Sequence, residues 1–254
     1  MDEPWDPMQA FDGVTRKASH DIWYQLNTFQ MPKWGFVVMR CTYGDDEAWT
    51  EVMRRLEVVI QQCFERDDEI DVQVLARHDW SVQEDPALDG ASKDAVRRKF
   101  RQWADTAGRA EYPSTEPAVQ ALIKGRIPRF SYCIAIDRES MDSILADPMD
   151  VFGGRAMLES DTYVNIIRAE DEWYEAGLPD FDTFDWSQHS GDDTKETPYD
   201  EGEEEIEGSR RHDVGWMKFR LIDLHLEFWR LLSATFSEWD TVYVRPNEGI
   251  AMED

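Results

Sequence analysis

The sequence predicts an α+β fold: a mainly antiparallel sheet with helices packed on one face, for which duplicated ferredoxin-like units are one fitting arrangement. Three observations predict it. Two apolar runs, 34–43 and 130–136, are each followed by an acid and then by a helical pattern. Two more short apolar runs, 163–167 and 215–219, have strand length and strand composition. Hydrophobic residues make up 41% of 254, with eleven Trp, which is enough aromatic area for a real core.

Residues 1–33 read as an N-terminal arm, with Trp5, Phe11, Trp23, Tyr24 and Phe29 spaced irregularly. Residues 34–254 read as one α+β domain, interrupted at about 170–209 by an acidic, partly disordered insert. Trp34 to Tyr43 is β-branched and aromatic, as a buried strand should be. Gly44-Asp45-Asp46 ends it and can cap a helix. From Asp46 to Glu65, Trp49, Val52, Met53, Leu56, Val59, Ile60, Cys63 and Phe64 recur at three- and four-residue steps. Ile70 to Leu75 alternates apolar and polar, which predicts a half-buried strand, with Trp80 and Val82 extending the pairing. Pro86 and Gly90 mark a loop.

Ser92 can cap a second helix bearing Val96, Phe100 and Trp103 on one side. Pro113 and Pro117 bracket a turn, and 119–123 suits one helical turn. Phe130 to Ile136 is the second strong strand; Asp137 then caps a short helix with Met141, Ile144 and Leu145. Gly153-Gly154 is a turn. Tyr163 to Ile167 is a third strand, and Gly215 to Phe219 a fourth. Leu221, Leu224, Phe228, Leu231, Leu232 and Phe236 define one last long helix, and Val242 to Val244 a closing edge strand.

Charge is concentrated in one place. Residues 170–207 hold sixteen acids and one base, Lys195, which is −15 of the chain's −27. At pI ≈ 4.4 the surface repels nucleic acid and anionic lipid, because phosphate binding needs clustered Lys and Arg. Neither nucleic acid nor membrane is an expected partner. No run approaches the 18 or so apolar residues of a membrane span, and the acidic start has no apolar signal core. Cys41, Cys63 and Cys133 are three and widely spaced, which suggests neither a zinc site nor a disulfide framework and suits a reducing cytoplasm or nucleus.

The run WGFVVMRCTYGDDEAW, 34–49, resembles the opening of a broad family of uncharacterised proteins from filamentous ascomycete fungi. FSYCIAID, 130–137, and VGWMKFRLIDL, 214–224, fit the same layout. The resemblance implies a fungal, intracellular protein. It carries over no catalytic residue.

Motifs for catalysis are absent from the sequence: no HExxH, nucleophile elbow, Walker loop or GxGxxG occurs. His20, His78, His189, His212 and His225 lack metal-ligand spacing, and Asp85, Asp89 and Asp94 are too loosely spaced for a calcium loop. No metal and no cofactor is expected, and catalytic residues stay unassigned. His78-Asp79 could do acid–base work, but neighbours on a strand point to opposite faces. His225 reads as a boundary residue of the last helix. Arg40 ends an apolar strand just before Asp45 and Asp46. It can bridge to them, tying strand to helix, or offer its fork to an anion at a cleft mouth. Arg129 and Asp137 flank the second strand in the same way.

Within the insert, Asp180-Phe181-Asp182-Thr183-Phe184-Asp185-Trp186 interleaves acids with aromatics, a pattern of segments that order on a partner. A plain solvated loop is the competing reading. The best functional reading is a protein-interaction module in which Phe181, Phe184 and Trp186 anchor a partner with a basic or hydrophobic surface. The alternative is a small-molecule-binding protein or cofactor-independent enzyme of fungal secondary metabolism, its pocket lined by Trp34, Arg40, Tyr43 and Trp80. A homodimer subunit is the third.

Overall fold

The computed structural model describes residues 17–65, 67–111, 127–146, 161–169, 203–233 and 239–252. Its centre is a five-stranded sheet: β1 (Val37–Arg40), β2 (Ser81–Glu84), β3 (Tyr132–Ile136), β4 (Tyr163–Arg168) and β5 (Trp216–Arg220), in the order β2-β1-β3-β4-β5. β1 is parallel to both β2 and β3, while β3–β4 and β4–β5 are antiparallel. The α+β class therefore holds, with a mixed sheet in which two of the four pairings are antiparallel. The strands of the two strand–helix units, β1 and β3, are parallel neighbours in this one sheet.

Alternation along the strands divides the core. Val38, Ile134, Ile136, Val164, Ile166, Met217 and Phe219 face one side. Val37, Met39, Cys133, Ala135, Ile167 and Trp216 face the other. Burial on both faces is why β1 and β3 read as unbroken apolar runs rather than as alternating ones.

The first side carries most of the helices. α1 (Ala18–Thr28) buries Ala18, Ile22 and Leu26, so the second half of the expected arm is part of this core. α2 (Asp46–Gln61) starts where Asp45 accepts a hydrogen bond from Ala48 N at 2.9 Å, and it buries Trp49, Val52, Leu56, Val59 and Ile60. α3 (Glu69–Leu75) corrects an expectation, because 70–75 is a helix and not a strand. Six alternating residues cannot separate the two periods. Asp68 decides it by accepting from Ile70 N (2.9 Å) and Asp71 N (3.2 Å) as the N-cap.

α4 (Lys93–Glu111) covers the second side with Val96 and Phe100, so helices lie on both faces of the sheet. Pro128 opens a single turn, α5 (Pro128–Ser131), that takes Phe130 and Ser131 out of the expected strand. α6 (Arg138–Ala146) begins at Asp137, whose Oδ1 accepts from Ser140 N at 2.9 Å.

The last long helix is broken. A 3-10 turn spans Leu221–Asp223, and α7 (Leu226–Leu232) starts anew with extended His225 as its N-cap. Asp223 accepts from Arg220 Nε at 2.7 Å instead of continuing the helix. Val242 belongs to α8 (Trp239–Val242), so the expected edge strand at 242–244 is not there. The sheet is closed instead by Ala251, which bridges to Phe219. No helix among the described residues is long and apolar enough to cross a membrane.

Candidate functional site

Three parallel strands send their carboxyl ends to one edge of the sheet, the place where open sheets commonly bind ligands. Arg40 ends β1 there with Cys41 just after it, Glu84 ends β2 with Asp85 just after it, and Asp137 follows β3.

Arg40 is buried, and every donor group on its fork is used. Nη2 meets Asp46 Oδ1 at 2.5 Å, Nη1 meets Glu84 Oε1 at 2.9 Å, and Nε donates to Thr42 O at 3.1 Å. Tyr43 and Trp49 stack on the guanidinium at 4.6 and 4.9 Å. Burial opposes its charge, but the hydrogen bonds to Asp46 and Glu84 outweigh it, and its pKa is raised. Of the two readings of Arg40, the bridge tying strand to helix is the one the geometry shows. Burial raises the Tyr43 pKa, and the hydroxyl accepts from Asp85 N at 2.7 Å.

Trp34 and Trp80 lie at the opposite end of the strands. Trp34 is in the core, donating Nε1 to Val74 O at 2.8 Å. Its ring stands 4.8 Å from His78, and the Trp80 ring stands 4.6 Å from the same imidazole. Six residues of extended chain separate Trp34 from Arg40, roughly 20 Å. The four residues named as pocket-lining are thus brought together as two pairs, Arg40 with Tyr43 and Trp34 with Trp80, and not as one group.

His78 and Asp79 part company in the link between α3 and β2, where His78 makes an isolated bridge to Trp34. His78 is boxed by the two Trp rings, and burial pulls its pKa down to about 4. Asp79 turns to Arg129, which is fully buried. Arg129 Nη2 meets Asp79 Oδ2 at 2.9 Å, Nε meets Glu111 Oε2 at 2.9 Å, and Nη1 donates to Gly35 O at 3.0 Å. Ser81 Oγ and Lys33 also reach Asp79, and its pKa falls to about 2 against the cost of its burial.

The cluster that the sequence did not reveal surrounds Lys93 at the start of α4. Its Nζ lies 2.9 Å from Asp137 Oδ2 and 4.6 Å above the Trp216 ring. Asn165 Nδ2 donates to the same Asp137 oxygen at 3.0 Å, and Ser140 Oγ lies 2.8 Å from the other. Burial raises the Asp137 pKa, Lys93 and Ser140 lower it, and the net shift is downward. Cys41 lies close by, and burial pushes its thiol up to about 12, which disfavours the thiolate. Lys93 and Asp137 are 44 residues apart; Ser92 and Asp137 as helix caps were the local signals of this corner, and neither pointed to the other.

The acidic stretch is tied to the same side of the sheet. Glu207 Oε2 accepts from Lys93 N at 2.7 Å, which puts a carboxylate at the start of α4. Arg245, fully buried, donates to the carbonyls of Glu204, Arg211 and His212. At the other end, Arg101 donates to Ala169 O. Arg97 links the two ends: Nε donates to Arg168 O and Nη2 to Val214 O, each at 3.0 Å. Gly215, at φ +72°, lets Arg97 through, since a Cβ there would stand 2.5 Å from Nη2. Residues 203–209, the last of the expected insert, are thus held against the body. Phe181, Phe184 and Trp186 lie outside the described residues.

Among the described residues, Glu65, Asp68 and Asp71 are the one group with the chemistry and proximity to hold a metal ion. No family model, no curated protein and no solved structure matches the chain.

Proposed function

We propose that this chain is a protein-interaction module that presents its acidic, aromatic segment to a basic or hydrophobic partner surface. The observation that supports it is the anchoring of both ends of 170–202. Arg97 and Arg101 hold the departing end, and Arg97, Arg245 and Lys93 hold the returning one. The segment between them has twelve acids and one lysine, together with Phe181, Phe184 and Trp186. Anchored ends lower the ordering cost of capture, and clustered charge speeds encounter more than it tightens the complex. The likeness of 34–49 to fungal intracellular proteins suggests the cytoplasm or nucleus as the setting.

The test is capture from fungal lysate by the full chain and by a Phe181→Ala, Phe184→Ala, Trp186→Ala variant, with the captured protein then purified and titrated against both. Binding should be lost in the variant and weaken with salt, since exposed charges are screened within about 8 Å at physiological ionic strength. Equal binding by both forms refutes this use of the segment.

A second reading, a small-molecule binder or cofactor-independent enzyme of fungal metabolism, is supported by the half-buried Lys93–Asp137 pair at the carboxyl edge of the sheet. It predicts a metabolite whose thermal stabilisation of the chain is lost in Asp137→Asn and kept in the triple alanine variant.

A further inference from the structure

The turn between α2 and α3 carries a different chemistry. Glu65, Asp68 and Asp71 each offer an oxygen, all within 4.8 Å of one another. Such crowding is common on acidic surfaces and alone means little. Asp71 makes this group different. Its residue is 2% exposed, and its Oδ2 accepts from Glu65 N at 2.9 Å. Its Oδ1 is buried and has no hydrogen-bond partner among the described residues. A buried carboxylate oxygen with neither hydrogen bond nor cation is costly, and this one belongs to a carboxylate that faces two others.

One cation already stands at the cluster. Lys17 Nζ lies 2.8 Å from Glu65 Oε2 and 3.3 Å from Asp68 Oδ2. One ammonium serves two of the three carboxylates and leaves Asp71 Oδ1 without a counter-charge. Ligands on opposite sides of a Ca²⁺ stand roughly 5 Å apart, and the three oxygens fall inside that span. Glu65 is exposed and Asp68 half-buried, so the cluster meets solvent on that side.

We propose that Glu65, Asp68 and Asp71 bind a Ca²⁺ ion, with the Lys17 ammonium holding its place until the ion displaces it. The site is all oxygen, the donor set that hard cations require.

The test is calorimetric titration of the metal-free full chain with CaCl₂ at physiological salt. The expected result is one saturable event that weakens at least roughly tenfold in Asp71→Asn, as loss of a charged ligand should cause. The event should tighten severalfold in Lys17→Gln, which removes the competing ammonium, and stay unchanged in Asp192→Asn, Asp193→Asn, which thins the acidic segment. If the native chain shows no saturable event, or Asp71→Asn binds as tightly as the native chain, the proposal is overturned. If Asp71→Asn does not fold, Lys17→Gln decides: unchanged affinity there also overturns it.

Discussion

Arg40 and Arg129 look alike in sequence, each beside an apolar strand, but the structure makes them unequal. The partners of Arg40 are exposed, Asp46 at 86% and Glu84 at 54% of their side-chain areas. Glu111, a partner of Arg129, is only 15% exposed, and Arg129 itself is fully covered. Arg40→Ala should therefore cost about 1 kcal/mol, and Arg129→Ala about 3 kcal/mol, because it leaves the largely covered Glu111 and the half-buried Asp79 without their cation. Urea unfolding of both variants checks the ranking, and equal losses would contradict it. Gly215→Ala should cost about 1–3 kcal/mol in the same assay, from strain at φ +72° and the clash with Arg97. His78 sets a pH dependence. Its folded pKa of about 4 lies below the ordinary 6.5, so the unfolded chain binds the extra proton between those values. Its contribution is complete above pH 6.5 and is lost as pH falls toward 4, by at most roughly 3 kcal/mol. Asp79, at about 2, loses its share only at lower pH. His78→Phe should flatten the stability curve between pH 4 and 6.5, and an unchanged slope would assign it elsewhere.

Elements differed in how much of them could be read ahead. α2 was legible because its apolar spacing spans four turns and Asp45 is a local cap. β1 and β3 were legible because burial on both faces leaves unbroken apolar runs, and β4 and β5 because most of their short runs are apolar and buried. α3 was not, since six residues fit either period and only the Asp68 cap and the packing of α1 choose between them. Asp68→Ala should remove about 1 kcal/mol and raise hydrogen exchange across 69–75 while leaving β1 and β3 protected. The break between Leu221 and Leu226 was hidden because His225 reads as a helix residue until its ring is seen accepting from Glu227 N. The site follows the same logic. Arg40–Asp46 spans six residues and could be anticipated. Lys93–Asp137 spans 44, Arg129–Asp79 spans 50 and Arg97–Val214 spans 117, and such pairs leave no mark in local sequence.

At the scale of the whole molecule, charge and fold are separable. Residues 170–202 hold a net −11 of the chain's −27. Replacing them with a short Gly-Ser linker should leave the body folded and raise its melting temperature at low salt, as self-repulsion falls. The gain should shrink at high salt, and a lowered melting temperature in both conditions would show that the segment holds the body together. Arg97 has one more consequence. Because it grips the chain on both sides of the segment while β4 and β5 pair from Tyr163–Arg220 to Ile167–Trp216, the body should hold together without covalent continuity across 170–202. A protease site engineered there and cut should yield two polypeptides that elute as one particle, and the ends it creates would serve as the termini of a circular permutant.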